Sequence, residues 1–127
     1  MTYRDALDSD IPAMLRRAEA LHRLRGFPFS FDKGRVAAGL AGLIRSPDGL
    51  CLVADDGFLA AARQQTATSR ETVGMMHGWH GPEALLDAYE AWAPITQLCT
   101  RPGDAAGEAR LRGRGYVPVE TNWIRRA

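Results

Sequence analysis

A chain of 127 residues is the size of one domain, expected here to span residues 1–127, and can bury about two-thirds of its unfolded surface without metal or disulfide staples. Sixteen basic against fifteen acidic residues leave a net charge of +1, which gives no electrostatic case for nucleic acid or a membrane surface as partner. No apolar run approaches the roughly 20 residues of a membrane span, and the opening MTYRDALDSD lacks a signal peptide's apolar core, so a cytoplasmic protein is expected.

Residues 2–7 read as a short strand running into Asp8, Ser9 and Asp10, whose side-chain oxygens can cap a helix. Ile11, Met14, Leu15, Ala18, Leu21 and His22 then recur at three- and four-residue steps, one apolar stripe that Gly26 ends. Phe27, Phe29 and Phe31 follow in a connecting loop. Asp32 can cap a second helix with the stripe Val36, Leu40, Leu43 and Ile44; Gly34, Gly39 and Gly42 weaken it by up to about 1 kcal/mol each relative to Ala. Ser46-Pro47-Asp48-Gly49 reads as a turn, 50–54 as a strand, Asp55-Asp56-Gly57 as a hairpin turn and 58–65 as the returning strand. Cys51 and Cys99 each sit in an apolar strand-like run and are expected to be small buried hydrophobes of a reducing compartment.

The segment 71–100 carries the most information. Val73, Met75 and His77 alternate with Thr72, Gly74 and Met76, so 72–77 reads as a half-buried strand, after which Gly78 and Gly81 bracket Trp79 and His80 in a tight turn. Pro82 suits the first position of a helix on which Leu85, Leu86, Tyr89, Trp92 and Ala93 recur until Pro94, and 95–100 reads as the next strand. Strand, turn, helix, strand is the minimum parallel crossover, and it sets a helix N-terminus beside a strand end, where an anionic cofactor can dock. A weak helix over 103–114 with Asp104 as cap and a strand over 116–124 complete the chain. This order predicts an α/β fold: a mixed sheet, mostly antiparallel, with one parallel strand-helix-strand crossover and helices on both faces.

Three segments resemble the GNAT superfamily of acetyl-CoA-dependent N-acetyltransferases. Asp10-Ile11-Pro12 before an amphipathic helix is similar to the family's opening D-I-x-x-L. The run from Leu50 to Ala60, LCLVADDGFLA, resembles its v-A-e-d-d-G-x-i-v-G hairpin. The run from Gly115 to Trp123, GYVPVETNW, is similar to the terminal L-G-Y/F-x-p-v-e strand of many small members. The resemblance covers essentially the whole chain and implies that acetyl-CoA binds between the strands over 72–77 and 95–100. Two family features are altered. Arg/Gln-x-x-Gly-x-Gly/Ala, whose backbone N–H groups hold the pyrophosphate, is replaced by His77-Gly78-Trp79-His80-Gly81-Pro82, and the Tyr that protonates the departing thiolate is replaced by Leu111. No Lys or Arg stands between Glu71 and Pro94, against Glu71, Glu83, Asp87 and Glu90, so only His77 and His80 are counted there to meet the phosphates. The expectation is a GNAT-like protein with weakened or lost acetyl-CoA binding and acetyl transfer, its affinity rising as imidazoles gain protons.

Within that resemblance Glu71 and His77 are the candidate general bases. Met75, Met76, His77, Gly78 and Gly81 are the candidate cofactor contacts, and Phe27, Phe29 and Phe31 a candidate acceptor wall. An active protein would take acetyl-CoA and a small-molecule or peptide amine. An inactive one would have no cofactor and would bind a partner, a peptide or a second copy as a homodimer; small members with this terminal strand also resemble proteins of phage neighbourhoods. His77 and His80 lack further ligands at metal spacing, so no metal is expected.

Overall fold

Residues 2–126 are described by a computed structural model in which one five-stranded sheet runs in the order β1-β2-β3-β4-β5. The strands are β1 (Tyr3–Asp5), β2 (Gly49–Ala54), β3 (Gly57–Gln65), β4 (Thr72–His80) and β5 (Ile95–Gln97). The helices are α1 (Ile11–Arg25), α2 (Lys33–Arg45), α3 (Ala84–Trp92) and α4 (Ala105–Gly113), with a 3₁₀ turn at Asp8–Asp10. The first four strands pair antiparallel; β5 returns through α3 to lie parallel to β4. The expected mixed α/β architecture is therefore present.

Local chemistry explains the elements. Gly26 closes α1 in the left-handed region at φ 67°, which glycine adopts without Cβ strain. Asp32 caps α2 by accepting from the Arg35 N–H at 3.0 Å, and Asp104 caps α4 by accepting from the Gly107 N–H at 3.0 Å. Asp10 does not cap α1. Its carboxylate accepts from the Leu7 N–H at 2.7 Å and from both terminal nitrogens of Arg4 at 2.8 Å, pinning β1 to the 3₁₀ turn.

Each face of the sheet carries its own core. Met14, Leu40, Cys51, Val53, Phe58 and Ala60 pack under α1 and α2; Leu52, Leu59, Ala61, Leu85, Leu86 and Tyr89 pack under α3. Full burial of one such aliphatic or aromatic side chain stabilises by about 1.5–3 kcal/mol, so the two layers fix the sheet between the helices. Arg17 links α1 to the β2–β3 turn by donating to the carbonyls of Asp55 at 2.9 Å and Gly57 at 3.2 Å.

Four expectations are corrected. The first is β4, which runs on to His80 instead of stopping at His77, because β3 is long enough to pair with all of it. Ala60 faces Gly78 while Ala61 faces Met76, so His77 is an extra residue, a β-bulge. The bulge reverses the alternation: Met76 and Trp79, three positions apart, both pack on the α3 side, whereas Gly78 lies against Phe58 on the other. The turn is consequently confined to Gly81–Glu83, and α3 begins at Ala84 after Pro82, whose carbonyl accepts from the Leu85 N–H at 3.1 Å.

Second, β5 is three residues long, ending at Gln97. Third, residues 116–126 form no strand: β5 offers little edge to pair with, and Pro118 lacks an N–H. Val117, Val119 and Trp123 are instead 73%, 83% and 91% exposed. Fourth, Cys51 is buried as expected but Cys99 is exposed, since the strand meant to enclose it ends before it.

Candidate functional site

The site is built by the parting of β4 and β5. Their ladder has three rungs, Val73↔Ile95, Gly74↔Thr96 and Met75↔Gln97, and then stops, while β4 continues through Met76, His77, Gly78, Trp79 and His80 paired only to β3. Beyond Met75 one side of β4 thus carries backbone donors and acceptors that β5 does not meet. Such an open stretch within a sheet fits an extended chain bearing amides.

Tyr89 of α3 lies where the strands part. Fully buried, it holds its hydroxyl 2.6 Å from the carbonyl oxygens of both Gly74 and Gln97, and accepts from the Gln97 N–H at 3.2 Å. Burial pushes the phenol's pKa well above its ordinary value, so it remains protonated and able to donate. Gly74 is fitted to it: a Cβ there would come within 3.1 Å of Tyr89 Cε1 and of Ala93 Cβ. Beside it the Tyr116 hydroxyl lies 2.8 Å from Thr96 Oγ1 on β5, and burial raises this phenol's pKa as well.

The head of α3 is where α4 docks. Arg110 Nε is 3.0 Å from Glu83 Oε1, and its guanidinium lies over Trp79, 5.9 Å from the ring centroid. Arg114 is 16% exposed and reaches Glu83 at 3.4 Å, Glu90 at 2.9 Å and Asp87. The hydrogen bonds it donates, first to Glu90 and then to Asp87, raise its pKa further and fix its positive charge. The sequence-based count of His77 and His80 alone against a run of carboxylates is therefore corrected: Arg110 of α4 and Arg114 just beyond it pair with Glu83, Asp87 and Glu90, offsetting part of that negative charge. A signal for this exists, since Glu83 at the cap of α3 shares a face with Asp87 and Glu90 by helical spacing, and Arg114 follows Arg110 by four residues at the end of α4.

The candidate residues do not all meet. His77, exposed, stands at the bulge within the stretch of β4 that β5 does not meet; of the half-buried methionines, Met75 forms the last rung and Met76 is the first residue beyond it. Glu71 precedes β4 at its zipped end, six residues from His77 along an extended chain, about 20 Å at strand rise, so the two do not act on one proton. Gly78 and Gly81 are occupied by packing. A Cβ at Gly78 would stand 3.3 Å from the Phe58 ring, and Gly81, at φ 108°, leaves 2.8 Å between such an atom and Gly57 Cα. Phe27, Phe29 and Phe31 do come together: each ring centroid is 5.5 Å from that of His22, whose Nε2 bonds the Phe29 carbonyl at 2.8 Å. Leu111 is half-buried on α4. A separate cavity of about 400 Å³ between β1 and α1 includes Arg4 and Arg17, but their guanidiniums are already bonded to Asp10 and to the hairpin carbonyls. Among the described residues no group of three or more His, Cys, Asp or Glu could hold a metal, and no helix is long and apolar enough to cross a membrane.

No protein-family model and no curated protein matches the sequence. Solved structures do match in three dimensions. A predicted acetyltransferase of Clostridium acetobutylicum, solved with acetyl-CoA, superposes with a TM-score of 0.75 at 13% identity, over 99% of this chain and 95% of that one. The chain has the fold of the GNAT acetyltransferases. A possible acetyltransferase of Clostridium difficile gives 0.73 at 10% identity, covering 99% and 96% of the two chains. An aminoglycoside 6'-N-acetyltransferase of Acinetobacter haemolyticus gives 0.66 at 17%, covering 100% and 98%. In this fold the crossover β4–α3–β5 leaves an open fork beyond the last rung at Met75↔Gln97. At the turn Gly81–Glu83 between β4 and α3, Pro82 brings no N–H and the Glu83 carboxylate stands at the helix head.

Proposed function

We propose that this chain is an acetyltransferase-like protein that admits the acyl-pantetheine end of acetyl-CoA at the β4–β5 fork but holds the phosphates weakly, so that acetyl transfer is slow or lost. The observation that carries this reading is the ladder that stops at Met75↔Gln97 while β4 runs on to His80. Acetyl-CoA would supply an activated acyl group. The backbone N–H groups of β4 beyond Met75 would hold the thioester carbonyl and the negative charge that develops on it. Of the two candidate bases, His77 stands in that stretch and would take the proton of an incoming small-molecule or peptide amine, with Phe27, Phe29 and Phe31 as the wall of the acceptor side. Leu111 offers no proton to a departing thiolate, which is one source of slowness. The neighbour from Clostridium acetobutylicum, solved with acetyl-CoA, supports the choice of ligand.

Calorimetry and thermal shift with acetyl-CoA test the reading. Ligand at a hundred times its Kd adds about 2.7 kcal/mol of stability and ligand equal to its Kd about 0.4 kcal/mol, so binding with a Kd in the tens of micromolar raises the melting temperature clearly at millimolar acetyl-CoA. Weak binding is expected. Absence of any shift at millimolar acetyl-CoA, or submicromolar affinity with rapid turnover, would overturn it.

A second reading, a non-catalytic assembly module, is favoured by the exposed apolar tail at Val117, Val119 and Trp123. A second copy of the chain would cover that face in a homodimer. Light scattering that finds only monomer at high protein concentration removes this alternative.

A further inference from the structure

We propose that Tyr89 is a positioning residue that sets where the β4–β5 fork begins, so that its hydroxyl determines how the acyl-pantetheine arm is received; this rests on the acetyl-CoA reading above. The geometry carries the argument in three steps. The parallel ladder ends at Met75↔Gln97, and the Tyr89 hydroxyl stands against the carbonyls of Gly74 and Gln97 and the N–H of Gln97, all within one residue of that last rung. One hydroxyl proton serves one carbonyl at a time, so the phenol is an inserted rung shared by both strands rather than an ordinary ladder bond. A Cβ at Gly74 would stand 3.1 Å from Tyr89 Cε1 and 3.4 Å from its hydroxyl, so glycine there lets the phenol reach both strands without being pushed aside. A buried tyrosine needs only one partner to satisfy its hydroxyl. One donated bond, alternating between the Gly74 and Gln97 carbonyls, and one accepted from the Gln97 N–H tie the phenol to the backbone of both diverging strands and hold their separation.

Without this rung the two strands have two outcomes, zipping further or loosening, and either moves the open stretch of β4 relative to the arm that would lie against it. Hydrogen exchange on the protein alone reads the hold. In Tyr89→Phe the amides of Gln97 and Met75 should exchange at least tenfold faster than in wild type, with the β2–β3 amides unchanged; unchanged exchange at Gln97 overturns the proposal. Should Tyr89→Phe fail to fold, the wild-type protein still decides the matter. A slowly exchanging Tyr89 hydroxyl proton with a nuclear Overhauser contact to the Gln97 N–H is expected, and its absence is fatal.

Binding then separates positioning from general structural damage. Tyr89→Phe should lose roughly tenfold in affinity for acetyl-CoA while its affinity for ADP, which has no pantetheine arm to enter the fork, stays at the wild-type value. Equal losses for both ligands, or none for acetyl-CoA, overturn the positioning role. Wild-type protein that binds no acetyl-CoA overturns the ligand reading instead, and the exchange measurement then judges Tyr89 by itself.

Discussion

Arg110 on α4 and Glu83 at the head of α3 face each other at 3.0 Å, with Arg110 also lying over the Trp79 ring. The carboxylate thereby occupies a guanidinium at the head of α3. Both side chains are about half exposed, 48% and 50%, so the pair itself contributes at most about 1 kcal/mol. A more highly charged anion can therefore displace the carboxylate.

Replacing Glu83 with Gln should raise affinity for acetyl-CoA about two- to tenfold, by removing a competing negative charge and freeing Arg110. Calorimetry at low and high salt checks this, because the gain should shrink as salt screens the site. Unchanged or weaker binding in Glu83→Gln would show that the arginines do not meet the ligand.

Gly78→Ala distinguishes packing from cofactor contact. The added Cβ would sit 3.3 Å from two carbons of the Phe58 ring, and Phe58, 2% exposed, has little room to withdraw. A loss of about 1–3 kcal/mol in denaturant stability is expected, with acetyl-CoA affinity retained. A selective loss of affinity at full stability would return Gly78 to the ligand site.

Asp10→Asn should destabilise the protein at neutral pH and converge with wild type in acid. The Arg4 guanidinium, followed by the Leu7 N–H, lowers the Asp10 carboxyl from 3.8 to about 2 in the folded state. A depressed folded pKa means that the stabilisation is fully present above about pH 4 and is lost as pH falls towards 2. Urea midpoints of both proteins across that range give the comparison; a difference that persists unchanged at pH 2 would contradict it.

The two thiols should react in sequence. Cys99 is exposed, whereas burial pushes the Cys51 thiol up to about 11, removing most of its thiolate at neutral pH. A thiol reagent should modify one cysteine promptly in the native protein and the second only on unfolding. Simultaneous modification of both would indicate that β2 opens readily.

Much of the fold was legible because one local signal governed each element. The α1 and α2 stripes, the caps at Asp32 and Asp104 and the β2–β3 hairpin all lie where their residue types predict. What misled the reading was parity and distance. His77 bulges out of β4 and reverses the alternation, so a strand read by period two ends at the bulge although the ladder continues. The site was harder, because its parts come from segments remote in sequence. Tyr89 reads as a core aromatic at helical spacing until its hydroxyl is seen between Gly74 and Gln97, and Arg114 reads as a solvated charge until α4 is placed beside α3. Burial of Cys99 and a strand over 116–124 both require a long β5, and β5 is short.

The sheet is terminated at both margins by its shortest members, β1 and β5, while the long β3 and β4 lie inside. Unpaired strand margins are templates on which foreign chains stack, and brief ones give little purchase. Apart from the stretch of β4 beyond Met75, the exposed apolar surface prone to self-association therefore lies outside the sheet, at Val117, Val119 and Trp123, and shortening the chain after Tyr116 should improve its solubility.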